Sequence, residues 1–244
     1  MSAILKTSFF YANDIPPAFA KRELALVVAQ TAWGEDIIRP LIKRLMTFVE
    51  SKEVKKRLLE QLNDEHRHTK LYWSHIRSLD SGVGRKLSPV YQKVCESAMK
   101  SESPFEILAC ILICLESFAF GAFKFRRQVC QFEPTLQLDL EVENDEVRHV
   151  DTGMMALQDL LQSGQIMDRE KVIGRVREMA SAFHSRSFVE DLEESFGHRV
   201  SQDPESRHSL LLKDYHLTCG DEFAFRMKKV LSVARSAERA SRKA

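Results

Sequence analysis

Two six-residue segments, Asn63-Asp64-Glu65-His66-Arg67-His68 and Asn144-Asp145-Glu146-Val147-Arg148-His149, agree at five of six positions across an offset of 81 residues. The same offset carries Glu35 onto Glu116, so that 35, 65 and 68 map onto 116, 146 and 149. A chain that repeats carboxylates and imidazoles in register, and little else, is held to two copies of one helical hairpin brought face to face. Residues three apart leave the same side of a helix, so each motif aims a Glu and a His at one point.

The punctuation agrees with hairpins. Pro16-Pro17, Ser51, the Asp80 to Gly84 cluster, Pro104, Pro134, Gly164 and Pro204 fall where helices should end, and no segment has the alternation of a strand. A first helix is expected from Pro17 towards Glu50, kinked near Gly34 and Pro40, and a second from Ser51 to Leu79. Ser103-Pro104-Phe105-Glu106 has a capping Ser, Pro at the first helical position and Glu three residues after the cap, opening a third helix that runs to Gln131. A fourth follows Pro134 to Ser163, and 168–198 and 205–235 read as two more. The fold class is therefore all-α. One helical domain spans 1–244, with a metal-binding four-helix bundle over 17–163 and additional C-terminal helices over 165–238; a core of that size suits a chain that is 44% hydrophobic.

Glu116 lies in Ile-Leu-Ala-Cys-Ile-Leu-Ile-Cys-Leu-Glu-Ser-Phe-Ala-Phe, where a lone carboxylate is strongly penalised unless paired or metal-bound. A single Glu-x-x-His is usually an ordinary solvated helix face. Two of them in register with two matching glutamates reverse that reading. Glu35, Glu65, His68, Glu116, Glu146 and His149 form a set of four carboxylates and two imidazoles, the arrangement of di-iron and di-manganese bundles. The donors suit iron or manganese better than structural zinc, with a pair of iron ions the first choice and a mixed Mn/Fe pair compatible. Asp64 and Asp145 are the natural acceptors for the ring N–H that each histidine turns away from the metal, either within one helix or across to the other. Arg67 and Arg148 either neutralise carboxylates around the site or form surface salt bridges.

At these residues the chain resembles the ferritin-like, ribonucleotide-reductase-small-subunit-like superfamily of di-iron carboxylate proteins, over roughly residues 20 to 160. The Asp-Glu-x-Arg-His form of both motifs is similar to the oxygen-activating branch: monooxygenase hydroxylase subunits, desaturases and arylamine N-oxygenases. The resemblance implies a ferritin-like bundle in which Glu35, Glu65 and His68 hold one iron and Glu116, Glu146 and His149 the other, with Glu65 and Glu146 bridging. It implies O2 as co-substrate and a small organic molecule as the oxidised partner. The pattern departs from its relatives at Phe120, where monooxygenases tend to carry Thr, and at Val142, where arylamine N-oxygenases place a third histidine.

Thr31, Ala119, Phe120 and Phe123 stand a turn or two from the glutamates of the first and third helices and are expected to wall a substrate pocket, although core packing explains each of them singly. No dinucleotide fingerprint or cysteine cluster is present, so an oxygenase requires an external electron donor such as a ferredoxin or flavin reductase. With 36 Lys and Arg against 35 Asp and Glu, nothing marks a nucleic-acid binder. Five cysteines without a CxxC pair and no signal-like leader lead to the expectation of a reduced, cytoplasmic protein, and the apolar stretch 107–123, broken by Glu116, to a core helix in place of a membrane span. The C-terminal helices have three roles open to them: buttressing the bundle, covering the pocket or forming a homodimer interface. Organic oxidation is the leading function. A ferroxidase without organic substrate is its alternative, and a helical protein that keeps metal only for stability is a third.

Overall fold

The structure, a computed structural model, describes residues 20–84, 89–165, 174, 178, 214–215, 217–230 and 232. They form an all-α bundle: α1 (Lys21–Leu45), α2 (Lys52–Leu79), α3 (Pro89–Lys100), α4 (Pro104–Ala109), a π-helical turn (Cys110–Leu115), α5 (Glu116–Val129) and α6 (Glu133–Gln162). A further helical run occupies 217–230. No strand occurs among the described residues. The helix expected over 168–198 lies outside them apart from 174 and 178, as does the start of the first helix and much of the last one.

Local chemistry sets the ends. Ser51 caps α2 by accepting from the Val54 N–H, and Ser103 caps α4 by accepting from the Glu106 N–H with Pro104 following it. Helix α1 runs through Pro40, which removes one intrahelical donor, and stops at Leu45, short of the expected end. There the Thr47 hydroxyl donates to the Arg44 carbonyl at 2.7 Å and the chain turns. Helix α3 has no counterpart among the expected elements. Among its described side chains Val94, Cys95 and Ala98 are buried, a stripe too short for periodicity to stand out from the sequence.

Helices α1, α2, α5 and α6 surround the interior, α1 packing on α2, α2 on α6, and α5 on both α1 and α6. The inward stripe of α2 is Val54, Leu58, Gln61, Glu65, His68, Tyr72, Ile76 and Leu79; that of α6 includes Asp139, Val142, Glu146, His149, Gly153, Ala156 and Leu160. Both step by three and four residues, the spacing of a bundle seam, and polar groups take the places where leucines would otherwise sit. Helix 104–129 has the length and hydropathy of a membrane span, yet 94% of its most apolar window is buried inside the protein. All five cysteines are buried and free.

A charged tie binds all four helices beside the polar seam. The Arg126 guanidinium donates to both oxygens of Asp139 at 2.7 and 2.8 Å and to the Thr31 hydroxyl at 3.0 Å, while the Tyr72 hydroxyl donates to Asp139 at 3.3 Å. Arg126 and Asp139 are both fully buried. Removing one member leaves the other as an unpaired buried charge, so Arg126→Met should lower unfolding free energy by about 3–5 kcal/mol, with Arg126→Met/Asp139→Leu recovering much of that loss. Urea unfolding of the single and double variants checks this, and equal losses in both would contradict it.

Candidate metal centre

Glu35 comes from α1, Glu65 and His68 from α2, Glu116 from the first residue of α5, and Glu146 and His149 from α6. All six are buried to 4% exposure or less. Their ligand atoms converge in two groups, each with every pair of atoms within 4.8 Å: Glu35, Glu65, His68 and Glu146, and Glu65, Glu116, Glu146 and His149. Glu65 and Glu146 belong to both. The structure thus brings together all six residues singled out by the repeat, and gives each group one further carboxylate from the opposite hairpin.

The π turn delivers Glu116. Residues 110–115 are wound wider than an α-helix, and the following residue is the carboxylate that projects into the interior. Such turns are concentrated at functional sites because they alter the register of a helix locally.

The two imidazoles are oriented crosswise. His68 Nε2 lies 3.1 Å from Oδ2 of Asp145, and His149 Nε2 lies 3.3 Å from Oδ2 of Asp64, so each histidine is held by the aspartate of the other motif. The pairing left open by the sequence is therefore between helices. Each Nδ1 then faces the carboxylates: His68 Nδ1 is 3.3 to 3.4 Å from Glu35, Glu65 and Glu146, and His149 Nδ1 is 3.1 Å from Glu65 and Glu146. Arg67 bonds Asp145 and Glu141, and Arg148 bonds Asp145 and Asp64. Both arginines support the aspartates and are substantially exposed, so solvent screens their share.

Gln61, which the sequence reading did not single out, completes the site. Buried to 2% exposure, its amide donates to Glu65 at 3.2 Å and to Glu116 at 2.9 Å. Its position one turn before Glu65 on the inward stripe is the signal that would have found it. The equivalent position in the second motif is Val142, so the two halves differ here.

Three ligand atoms, Glu65 Oε2, His68 Nδ1 and Glu146 Oε1, are buried and make no well-aligned hydrogen bond, although His68 Nδ1 lies within 3.4 Å of both carboxylate oxygens. Buried polar atoms are rarely left unsatisfied, and these belong to the converging set, which is what a metal-ligating group of this donor chemistry requires. The residues fit a pair of metal ions.

Burial and mutual contact set the ionisation of the six side chains. Burial, reinforced by the neighbouring carboxylates, holds Glu35 and Glu116 well above the usual carboxylate range. Burial works to raise Glu65 and Glu146 as well, but the histidines beside them prevail, bringing Glu65 down to about 2 and Glu146 well below its ordinary value. Burial works to lower His68 and His149, and the surrounding carboxylates overcome it and hold both imidazoles well above the usual range. Two imidazolium charges thus stand against two ionised glutamates.

A small cavity adjoins the centre. Thr31, Gly34, Ile38, Leu115, Phe118 and Ala119 line it together with Glu35, Glu65, Glu116 and Glu146. Thr31 and Ala119 are thus at its wall. Phe120 and Phe123 lie outside this lining, packed edge to face with ring centroids 6.1 Å apart. Compared with protein-family models, with curated proteins and with solved structures, the chain has no match.

Two predictions follow from this geometry. Glu116→Ala and His149→Ala should each abolish binding of two metal ions per chain, whereas Gln61→Leu should weaken affinity by roughly 10- to 100-fold; metal content after dialysis reads both. The second concerns pH. Because the metal-free folded state retains protons that the unfolded chain gives up, stability is lost from about pH 4.5 upward through Glu35 and Glu116 and from about 6.5 upward through His68 and His149. His75, lowered by burial, works the other way as one group against four. The urea midpoint of metal-free protein should fall between about pH 5 and 8 while metal affinity rises, and a flat profile in both would contradict the protonation scheme.

Proposed function

We propose that this chain is an O2-dependent, non-haem di-iron oxidoreductase of the ferritin-like kind that oxidises a small organic molecule, by hydroxylation or N-oxygenation. The observation that carries this reading is the buried, converging set of four carboxylates and two imidazoles, flanked on the α1 and α5 side by Thr31, Ile38, Leu115, Phe118 and Ala119, which would have to part to admit a substrate.

The residues divide the work. Glu65 and Glu146, shared by both groups, would bridge two ions; Glu35 and His68 would complete one site, Glu116 and His149 the other. When bound, the iron pair supplies the electrons that reduce O2. Asp145 and Asp64 hold the imidazoles with Nδ1 inward, and Gln61 keeps Glu65 and Glu116 in fixed positions. Electrons would come from a separate donor, a ferredoxin or flavin reductase, since the sequence carries no fingerprint for binding a redox group of its own. Manganese shares these donor preferences, and a mixed Mn/Fe pair fits the same residues.

Anaerobic loading of metal-free protein with Fe(II), followed by admission of oxygen in the presence of a reductant, tests the assignment. About two irons per chain and sustained reductant-dependent oxygen consumption are expected. Iron uptake far beyond two would favour the ferroxidase alternative. Full iron occupancy without oxygen consumption would leave the metal a structural role.

A further inference from the structure

The two groups of ligand atoms share Glu65 and Glu146, and each of these carboxylates divides its oxygens between them. Glu65 Oε2 and Glu146 Oε1 lie 3.4 and 3.3 Å from His68 Nδ1, whereas Glu65 Oε1 and Glu146 Oε2 both lie 3.1 Å from His149 Nδ1. The centre therefore has two positions with separate donor atoms, the first completed by Glu35 and His68 and the second by Glu116 and His149. Well-aligned hydrogen bonds fall on one of them. At the second position the Gln61 amide donates to Glu65 Oε1 and Glu116 Oε1, and His149 Nδ1 is hydrogen-bonded to Glu146 Oε2. At the first, Glu65 Oε2, Glu146 Oε1 and His68 Nδ1 make none. The repeat sets Val142 where a second amide would stand.

The supports behind the histidines differ in the same direction. Asp145, which holds His68 at 3.1 Å, has a side chain 11% exposed and is bonded by both Arg67 and Arg148. Asp64, which holds His149 at 3.3 Å, is 24% exposed and pairs among the described residues with Arg148 alone. An ion entering the first position meets donors that already converge and surrenders no aligned hydrogen bond. An ion entering the second must displace the bond between His149 and Glu146. It must also share Glu65 and Glu116 with Gln61; a carboxylate oxygen has lone pairs for both, but one that accepts from an amide gives less charge to a metal.

We propose that the two positions load unequally: the first divalent cation is held tightly by Glu35, Glu65, His68 and Glu146, and the second enters an exchangeable position completed by Glu116 and His149, where Gln61 acts on that second ion alone. This rests on the metal pair of the proposed function and is independent of its oxidase chemistry. Gln61 is a positioning residue, acting through the two glutamates it touches. A chain built in this way keeps a resident ion and exchanges the neighbouring one, so two different cations take defined places according to the order in which they are added.

Calorimetric titration of Mn(II) into metal-free protein tests the order, with Glu35→Gln, Glu116→Gln and Gln61→Leu alongside and their helicity checked by circular dichroism. Wild-type protein should bind two ions in steps separated by roughly tenfold or more in affinity. Glu35→Gln should weaken the first step by roughly tenfold or more, whereas Glu116→Gln should leave that step within about threefold of wild type and lose the second. The loss expected for Gln61→Leu should fall on the second step; this variant removes no ligand and decides the matter where a glutamate variant loses helicity. A first step weakened by Glu116→Gln as much as by Glu35→Gln would overturn the inference, and so would a Gln61→Leu effect as large on the first step as on the second. Wild-type protein that binds no ion sinks the metal centre and this inference together, while two ions bound in two equal steps, or in the reverse order, sink the inference and leave the centre.

Discussion

Four carboxylates and two imidazoles brought into a space shielded from water define what every neighbouring element must do. Unscreened, such a group is among the least favourable things a core can contain, costing several kcal/mol for each uncompensated charge. Its presence is sustained only because positive charge enters the same space, as protons on His68, His149, Glu35 and Glu116 or as metal ions in their stead. The surrounding structure keeps the set from escaping this conflict. Asp64, Asp145 and Gln61 fix the rotamers, and the Arg126 to Asp139 tie locks the four helices one layer away.

The site also explains the odd features of its helices. Glu116 sits in the most apolar helical stretch of the described residues directly after a π turn, a register change of the kind found at functional sites. Gly121 is small where the last described helix must approach α5 closely. The small cavity at the centre draws its lining from α1, α2, the π turn, α5 and α6 together.

Much of this was legible in the sequence where chemistry and periodicity coincide. The repeat named all six converging residues because a carboxylate or imidazole on an inward stripe is conspicuous against leucine and alanine. The bundle helices were legible from their caps and prolines. What was not legible depends on distance across the fold. The crossed pairing of His68 with Asp145 and of His149 with Asp64 requires knowing how the hairpins face each other. Gln61 resembles any helix-forming polar residue until its burial is known. Phe120 is at the right turn of the helix but off the cavity lining, which depends on helix rotation by amounts that residue spacing does not resolve.

The crossed contacts have a meaning of their own. Residue i of one half touches j of the other while j touches i, which is the signature of an isologous, two-fold interface. A single hairpin bearing Asp-Glu-x-x-His, paired with its own copy, would make both bonds from one aspartate and one histidine. This chain therefore encloses the contact set of a symmetric dimer in a single polypeptide. Joining the halves frees them to diverge: Gln61 stands opposite Val142, and Tyr72 opposite Gly153. A true dimer would have to change both sides of its centre at once, whereas the fused form can give its two metal positions different neighbours, and so different duties, one residue at a time.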